Sequence, residues 1–345
     1  MQKTDIASLG EFNLIERLAT LVECAQPSTV KGIGDDAAVV RYEQAETLVS
    51  TELWLEGVHF DLTYTPLKHL GYKTVVAGIS DIYAMNATPR QILLSIGVSK
   101  RFFVEDLEAI YAGVKAACAR YGLDLVGGDT APSMTGMTIG ITVIGEAPHD
   151  KIVYRSGGKK TDLLCLTGNL GAAYMGLQLL EREKRVFEGH SRKQPQFQGF
   201  EYILERYLKP EARKDIIDAM AAINLRPTAM IDVSDGLASE VLHLCRQSQC
   251  GARIYLERLP IAAETFRMAD EIQIDAVTAA LHGGDDYELL FTVPLSSYDT
   301  LRKDLQNVDI IGHLCDASEG AFLITPDNQA VELRAQGWKK DEADA

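Results

Sequence analysis

The residues of this sequence best suited to chemistry are carboxylates in apolar or glycine-rich settings, mostly at the ends of predicted strands. They are Asp35, Asp36, Glu52, Asp81, Asp129, Asp232, Asp235, Asp285 and Asp286. Carboxylates beside buried segments need a compensating cation or hydrogen-bond donors, and lysine and arginine are scarce in these segments. Magnesium takes oxygen ligands from one or two carboxylates, and phosphate oxygens and water complete its octahedron. The pattern therefore predicts metal–phosphate binding.

Each of these residues, taken alone, also has a simpler structural interpretation. Asp232 or Asp235 could cap a helix that begins near Leu237, and Asp36 or Asp129 could close a turn through its own side chain. Most of the carboxylates, however, stand beside glycines, where the backbone can approach a ligand closely. The number of such sites in one chain favours metal–phosphate binding over unrelated caps and turns.

Strands and helices alternate along the chain and must carry these residues. Apolar residues at helical spacing predict helices at 12–22, 69–85, 104–121, 172–184, 237–247 and 301–305. Runs rich in β-branched residues predict strands at 37–40, 47–53, 91–98, 123–126, 137–144, 163–166, 229–233, 253–256 and 287–293. The polar stretch 185–198 is predicted to be an exposed loop.

The alternation predicts an α/β (α+β) fold with two domains, as a length of 345 residues also suggests. Pro148 and the cluster Ser156-Gly157-Gly158 interrupt the pattern, which places a boundary between residues 145 and 160. We predict an N-terminal domain at 1–147 and a C-terminal domain at 148–345.

The net charge of −15 bears on the partners of the protein. Such a surface repels nucleic acid and anionic membranes, and it binds a nucleotide where cations lie between carboxylate and phosphate. The first residues lack the apolar core of a signal peptide, and no run reaches the ~18 apolar residues of a membrane span. The six cysteines include no C-x-x-C pair and are predicted to be reduced. A cytoplasmic protein that binds neither nucleic acid nor membrane is expected.

Familiar nucleotide-binding motifs are missing from the sequence. Gly158-Lys159-Lys160-Thr161 is similar to the end of a phosphate loop, but Val153 stands where that motif requires glycine. There is no G-x-G-x-x-G after a strand, no protein-kinase set and no G-x-S-x-G elbow. ATP, if bound, must be held by another scheme.

An ordered set of segments from about residue 10 to Trp338 resembles the thiamine-monophosphate kinase family, within the superfamily of aminoimidazole ribonucleotide synthetase. The segments are Gly10-Glu11-Phe12, Gly32-Ile33-Gly34-Asp35-Asp36, Ser50-Thr51-Glu52, Glu56-Gly57-Val58-His59-Phe60, Ser80-Asp81, Val126-Gly127-Gly128-Asp129-Thr130, Arg155-Ser156-Gly157, Ile231-Asp232-Val233-Ser234-Asp235-Gly236-Leu237 and Gly284-Asp285-Asp286-Tyr287-Glu288-Leu289. The resemblance implies an aminoimidazole ribonucleotide synthetase-like fold of two domains, with mixed sheets flanked by helices. It also implies a homodimer paired through the N-terminal domain.

The resemblance further implies roles for individual residues. The implied magnesium ligands are Asp36, Ser50, Thr51, Glu52, Asp81, Asp129, Asp232 and Asp235. The implied contacts to ATP are Tyr111, Gly128, Asp129, Arg155 and Ser234, and those to thiamine monophosphate are His59, Asp285 and Trp338. Three positions depart from the family pattern: Glu52 replaces the usual aspartate, Asp285 the usual glutamate, and Gly78 a frequent asparagine.

The implied reaction is phosphorylation of thiamine monophosphate to thiamine diphosphate by ATP with magnesium. The attacking phosphate oxygen is already ionised, so no general base or covalent nucleophile is expected, and direct in-line transfer follows. Two unit charges 4 Å apart repel by about 4 kcal/mol at an effective dielectric of about 20, which makes bridging cations necessary. Trp338 could stack against the thiazolium cation or simply pack at the C-terminus.

Two other functions remain open from the residues. One is another ATP-dependent enzyme of the superfamily acting on a different phosphorylated metabolite. Selenophosphate synthetase is disfavoured, because the loop before Gly32 lacks that enzyme's reactive cysteine or selenocysteine with its neighbouring lysine. Cys24 is instead assigned to the end of the predicted N-terminal helix. The other is a binding module without catalysis, with Glu52 as a sign of decay.

Overall fold

The computed structural model describes residues 29–31, 35–42, 45–189 and 196–335. The predicted helix at 12–22, Cys24 and Trp338 lie outside these residues. Within them the chain forms two sheets, and helices pack around them. No helix of the described chain is both long and apolar enough to cross a membrane. The cysteines that it contains, all unpaired, are Cys118, Cys165, Cys245, Cys250 and Cys315.

The first sheet has six strands in the order β1-β2-β3-β6-β4-β5. The strands are β1 (Thr29–Lys31), β2 (Ala38–Tyr42), β3 (Ala45–Leu55), β4 (Thr88–Val98), β5 (Asp124–Pro132) and β6 (Thr138–Ala147). Neighbouring strands are antiparallel except β4 and β5, which run parallel and leave β5 at one edge. The mixture of directions matches the predicted mixed sheet.

The second sheet has seven strands in the order β13-β12-β9-β11-β7-β10-β8. They are β7 (Leu163–Thr167), β8 (Ala229–Val233), β9 (Cys250–Tyr255), β10 (Glu288–Val293), β11 (Val308–Asp316), β12 (Ala321–Ile324) and β13 (Ala330–Glu332). Only β9 and β12 pair in parallel among these strands. Strands β7, β8 and β10 are buried throughout, which explains why their sequences are largely apolar on both faces.

Nine described helices accompany the sheets. They are α1 (Leu67–Ala84), α2 (Val104–Tyr121), α3 (Ala172–Gly189), α4 (Glu201–Leu208), α5 (Lys214–Ala222), α6 (Leu237–Ser248), α7 (Ala263–Ile272), α8 (Ala276–His282) and α9 (Tyr298–Asp304). Helix α1 is almost wholly buried, because it packs on α2, on strands β3 and β6 of the first sheet, and on β8 of the second. It is therefore the element that joins the two sheets.

Two glycines set how closely α1 and α2 approach each other. A Cβ atom on Gly71 would lie 2.1 Å from the carbonyl oxygen of Ile110, and one on Gly113 would lie 1.9 Å from that of Lys68. Real side chains do not come so close, so only glycine fits at either position. The position of α1 therefore depends on this crossing.

One predicted element is wrong in part. The stretch 185–198 was expected to be an exposed loop, but α3 continues to Gly189 and 190–195 lie outside the described residues. Arg185 and Glu188 are good helix formers, and no glycine or proline precedes Gly189 in this stretch. Polarity alone was therefore a poor sign of a loop. Helices α4, α5, α7 and α8 and strands β1 and β11 to β13 were not predicted from the sequence.

The division into two domains at 147 and 148 stays a prediction. The first sheet ends at Ala147 and the second begins at Leu163, in keeping with a boundary between them. A single apolar cluster nevertheless includes Val39 and Ile141 of the first sheet together with Cys165 and Phe291 of the second.

Candidate active site

A cleft of about 780 Å³ opens where α1 meets the second sheet. Its walls come from β3 and the turn after it, from α1, α3 and α4, from the turn after β8, and from the loop before β10. One end is rich in carboxylates and the other in aromatic rings. The residues that line both ends belong to segments far apart in the sequence.

Three aspartates meet at the carboxylate end. Asp36 comes from the turn before β2, Asp81 from α1 and Asp232 from β8, and their carboxylate oxygens all lie within 4.8 Å of one another. Asp36 and Asp232 are buried, and Asp81 is partly buried. The cluster brings together side chains from a turn, a helix and a strand that are far apart in the sequence, as the metal–phosphate prediction requires.

Short polar contacts hold these aspartates in place. The hydroxyl of Ser50 donates to Asp81, and that of Ser80 donates to Asp232 over 2.7 Å. The guanidinium of Arg155 pairs with Asp36. The second carboxylate oxygen of Asp36 is buried and makes no hydrogen bond within the described residues. The cluster thus keeps an oxygen available for a cation.

Burial and mutual repulsion shift the protonation of the cluster. Burial, and then the charge of Asp36, raise the pKa of Asp232 to about 8. Burial, followed by repulsion from Asp232, Glu52 and Asp36, raises the pKa of Asp81 well above its ordinary value. For Glu52, burial and repulsion from Asp235 and Asp285 raise the pKa to about 7. So much negative charge in one buried place favours binding of divalent cations or protons.

The three predicted metal ligands on strand β3 do not all lie on the same face of the strand. Successive side chains of a strand point to opposite faces, so Ser50, Glu52 and Trp54 share one face and Thr51 takes the other. Glu52 and Trp54 line the cleft, and Ser50 contacts Asp81. Thr51 is exposed, and its hydroxyl donates to the carbonyl of Ile141 over 3.1 Å. The structure brings Ser50 and Glu52 to the cluster but does not bring the Thr51 side chain there.

The predicted ATP contacts of β5 and α2 lie away from the cleft. Gly128 stands in register with Leu94, Ile141 and Glu52 on successive strands, so three spacings of about 4.8 Å put it about 14 Å from β3. Asp129 is exposed beside it. Tyr111 of α2 is 40% exposed and lines a separate groove along β5 with Leu125 and Val126. The role of these residues in binding ATP or metal stays a prediction.

The turn after β8 presents Ser234 and Asp235 to the cleft. The simpler interpretation, in which Asp232 or Asp235 caps the next helix, is wrong, because Gly236 occupies the N-cap of α6 and no side chain caps that end. The carboxylate of Glu240, a residue not singled out from the sequence, accepts a hydrogen bond from the Asp235 backbone N–H over 3.0 Å. Glu240 is buried, and burial followed by the charges of Asp235 and Asp232 raises its pKa. Glu240 therefore holds the turn after β8 through the backbone of Asp235.

Aromatic side chains form the opposite end of the cleft. His59, predicted from the sequence, lies here with its ring 6.0 Å from that of Trp54, and its Nδ1 accepts the backbone N–H of Leu55. Tyr64 and Tyr207 also line this end. The hydroxyl of Tyr64 donates to Glu181 of α3 over 2.6 Å. Trp54, Tyr64 and Tyr207 were missed from the sequence, since an isolated aromatic gives no sign of whether it faces a core or a cleft.

Three acidic residues of Gly284-Asp285-Asp286-Tyr287-Glu288, in the loop before β10 and at its first residue, have distinct tasks. Asp285 lines the cleft. Asp286 is buried and accepts the backbone N–H groups of Gly171 and Ala173 at the start of α3, so it caps that helix. Glu288 is buried and pairs with Arg206 at 3.0 Å and Arg213 at 2.5 Å. The motif therefore combines residues that line the cleft, namely Gly284, Asp285 and Tyr287, with the buried supports Asp286 and Glu288.

Comparison with known proteins places this chain in a family. Models of the family described as AIR synthase related protein match residues 34–147 with its N-terminal domain and residues 162–335 with its C-terminal domain. The thiamine-monophosphate kinase of Aquifex aeolicus is 32% identical over 335 residues, which make up 97% of this chain and 99% of the relative. This chain belongs to the thiamine-monophosphate kinase family.

Further members agree with this assignment along the whole chain. The thiamine-monophosphate kinase of Escherichia coli K12 is 33% identical and covers 95% of this chain and 97% of the relative. A solved structure, AaThiL complexed with AMPPCP and TMP, matches with a TM-score of 0.82 at 29% identity, covering 98% of this chain and 99% of that chain. The predicted family and fold class are confirmed.

Proposed function

We propose that this protein transfers a phosphoryl group from ATP to thiamine monophosphate and so produces thiamine diphosphate. Relatives that match almost its whole length are thiamine-monophosphate kinases. The solved relative holds AMPPCP, an analogue of ATP, together with thiamine monophosphate. The single observation in this chain that carries the proposal is the convergence of Asp36, Asp81 and Asp232 within 4.8 Å beside a large cleft.

Magnesium suits the residues of this cluster. All three groups offer carboxylate oxygens, which hard divalent cations prefer, and one Asp36 oxygen is buried without a hydrogen bond in the described chain. We propose that these three aspartates hold magnesium, with Ser50, Glu52 and Asp235 beside them as further ligands. Thr51 and Asp129, whose side chains lie away from this cluster, stay predicted ligands by family resemblance. Magnesium bound there would offset the repulsion between the phosphates of the two substrates.

The side chains of the cleft have mainly to hold and orient the substrates. A phosphate oxygen of thiamine monophosphate forms a bond to the γ-phosphorus of ATP, the bond from that phosphorus to the bridging oxygen breaks, and ADP leaves. The attacking oxygen is already ionised, so no side chain has to remove a proton. We propose that Arg155, beside Asp36, and Ser234, on the turn after β8, contact the phosphates of ATP.

The aromatic end suits the organic part of thiamine monophosphate. A thiazolium cation is attracted to the faces of aromatic rings and to carboxylates, and Trp54, Tyr207 and Asp285 all line this end. We propose that His59 and Asp285 contact the substrate here, with its phosphate directed toward the aspartate cluster. Trp338, outside the described residues, stays a predicted substrate contact.

Several further features belong to the same proposal. We propose that Tyr111, Gly128 and Asp129 contribute to ATP or metal binding.

We also propose that two copies of the chain pair through the N-terminal domain, 1–147. Strand β5 supports such pairing, because it is an edge strand whose nine residues are all exposed. The C-terminal domain, 148–345, would complete the site. A cytoplasmic location, where ATP is available, stays a prediction.

A direct assay tests the proposed function. The purified full chain is incubated with ATP, magnesium chloride and thiamine monophosphate, and thiamine diphosphate is measured by chromatography. Formation of thiamine diphosphate that requires ATP and stops when EDTA removes magnesium is the expected result. Phosphorylation of another phosphorylated metabolite, with none of thiamine monophosphate, would point instead to a different enzyme of the superfamily. A labelled phosphoryl group trapped on the protein from ATP alone would contradict direct transfer.

A further inference from the structure

Lys73 is a buried lysine behind the wall of the cleft. It lies on α1 and is 3% exposed, and it does not itself line the cleft. Its ammonium group donates to the Oδ2 atom of Asp285 over 2.9 Å. Burying a lysine in this way is unfavourable unless the charge is paired, so the contact needs a reason.

Aromatic rings of the cleft enclose the same ammonium group. The Nζ atom of Lys73 is 3.7 Å from the ring centroid of Tyr207 and 5.6 Å from that of Trp54. Both rings line the cleft. The lysine is therefore in contact with three groups that face the organic end of the substrate.

Helix α1 connects this lysine to the aspartate cluster. Lys73, Ala77 and Asp81 are spaced by four residues, so they form one stripe on the helix, and Ala77 and Asp81 line the cleft. Eight residues of helix span about 12 Å. One rigid element thus supports the metal end of the cleft with Asp81 and the organic end with Lys73.

Asp285 is held by hydrogen bonds to its side chain and to the backbone of its loop. Its Oδ1 atom accepts the hydroxyl of Tyr287 over 2.9 Å, while Lys73 holds Oδ2. The backbone N–H groups of Asp285 and Tyr287 donate to the carbonyls of Ser234 and Val233. Asp285 and Tyr287 both have positive φ, at 60° and 51°, a conformation that non-glycine residues adopt only under strain. A loop held in this way presents one carboxylate in one direction.

We propose that Lys73 is a positioning residue for substrate recognition, which holds the Asp285 carboxylate toward the cleft as a fixed acceptor for an N–H group on the organic part of the substrate. The inference rests on the proposed function and deepens it. An ionised carboxylate offers about four acceptor positions, and Lys73 and Tyr287 occupy two, so others remain for the ligand. The aminopyrimidine of thiamine monophosphate carries such N–H groups.

The charge of Lys73 has a second effect in this arrangement. Asp285 lies close enough to Glu52 for their charges to repel, and Glu52 is a proposed metal ligand. Pairing with Lys73 keeps Asp285 directed to the organic end rather than leaving it as one more carboxylate for a divalent cation. Loss of the ammonium group should therefore weaken binding of thiamine monophosphate much more than binding of ATP.

A double-mutant cycle tests the proposal in the full chain. The variants are Lys73→Met, Asp285→Asn and the two combined, with Lys68→Met, an exposed lysine on the same helix, as the matched control. We expect Lys73→Met to raise KM for thiamine monophosphate about tenfold or more, the effect of losing a charge-assisted hydrogen bond, with KM for ATP and kcat within about twofold. Lys68→Met should match the wild type.

Non-additivity is the decisive readout. If Lys73 acts through Asp285, the combined variant has the same KM for thiamine monophosphate as Asp285→Asn alone. The proposal would be overturned if the combined variant raised KM for thiamine monophosphate by the product of the two single effects. It would also be overturned if Lys73→Met left that KM unchanged. Should Lys73→Met fail to fold because it leaves Asp285 unpaired, the comparison of Asp285→Asn with the combined variant still decides. A wild-type chain that does not phosphorylate thiamine monophosphate would instead refute the proposed function.

Discussion

The three aspartates of the cluster illustrate how a functional carboxylate differs from a structural one. A structural carboxylate is paired or hydrogen-bonded, and the fold loses stability when it is removed. Asp36, Asp81 and Asp232 are hydrogen-bonded too, but they also crowd like charges within 4.8 Å. Burial together with the charge of Asp36 raises the pKa of Asp232 to about 8. The fold tolerates this repulsion between carboxylates, and the same crowding enables the cluster to bind cations.

Replacement of Asp232 by asparagine separates the effect of this carboxylate on cation binding from its effect on the stability of the fold. Asp232→Asn keeps an acceptor for the Ser80 hydroxyl but removes one of the crowded charges. We expect kcat/KM for thiamine monophosphate to fall by about a thousandfold or more, while the thermal midpoint of the metal-free protein stays the same or rises. Product formation and thermal unfolding in EDTA measure the two quantities.

Asp150→Asn, at an exposed turn, is the matched control and should change neither quantity. A metal-free Asp232→Asn protein that melts well below the wild type would show that this carboxylate stabilises the fold.

At the scale of elements, α1 determines the geometry of both ends of the cleft, because it carries Lys73, Ser80 and Asp81. Its distance from α2 depends on Gly71 and Gly113, where no side chain fits. Glycine is a poor helix former, and the helices tolerate it here because the close crossing requires it.

Gly113→Ala is expected to destabilise the protein by about 1–3 kcal/mol through overpacking, although alanine is the better helix former by about 1 kcal/mol. The new Cβ would meet the carbonyl of Lys68 and push α1 aside. Urea unfolding measures the change, and kcat/KM should fall with it because Asp81 moves.

Ala116→Gly, at an exposed position of α2, is the control for helix propensity and should cost about 1 kcal/mol without loss of activity. If Gly113→Ala were more stable than the wild type, the crossing would not need glycine.

Behind the loop that carries Asp285, a buried ion network links α4 and α5 to β10. Arg206 contacts Glu288 at 3.0 Å and Asp286 at 3.7 Å, and both carboxylates are buried. Burial raises the pKa of Asp286 to about 7, and Arg206 opposes that rise. Removing the arginine would leave these carboxylates less compensated.

Arg206→Ala is therefore expected to lower the free energy of unfolding by about 3–5 kcal/mol, as measured by urea denaturation. The matched control is Arg90→Ala, which breaks an exposed pair with Glu146 and should cost less than about 1 kcal/mol. Equal effects of the two substitutions would mean that the buried network does not stabilise the loop.

At the scale of the whole molecule, both sheets contribute to one cleft, while the predicted ATP contacts on β5 lie on an outer edge. Exposed apolar side chains continue along this edge, with Leu125 at 37% and Val126 at 57% exposure. An edge strand of this kind is open to pairing with a second copy. The predicted homodimer therefore has a specific candidate surface.

Val126→Lys should shift the mass measured by light scattering from dimer toward monomer, because a charge on the pairing edge must be desolvated. Val331→Lys on β13, another edge strand with a 51% exposed valine, is the control and should leave the mass unchanged. A wild-type chain that is monomeric at micromolar concentration, or a dimer unaffected by Val126→Lys, would rule out this surface.

Much of the fold could be predicted from the sequence because its signals are local. Helix α2 coincides with the predicted span 104–121, and strand β8 with 229–233, since apolar periodicity and β-branched runs reflect the face that each element buries. The last five residues of α3, 185–189, were predicted to be a loop, because polar residues there conceal a continuing helix.

The sequence by itself determined the family, the fold class and the set of carboxylates able to bind a cation, because ordered motifs and residue types do not depend on distant contacts. Only the tertiary structure decided which of them meet: Asp36, Asp81 and Asp232 converge, whereas Asp129 stays on an outer edge strand. It also disclosed the role of Lys73, which was not singled out from the sequence and becomes evident only when Asp285 lies beside it. Proximity between residues far apart in the chain results from packing α1 between two sheets, and no local pattern encodes it.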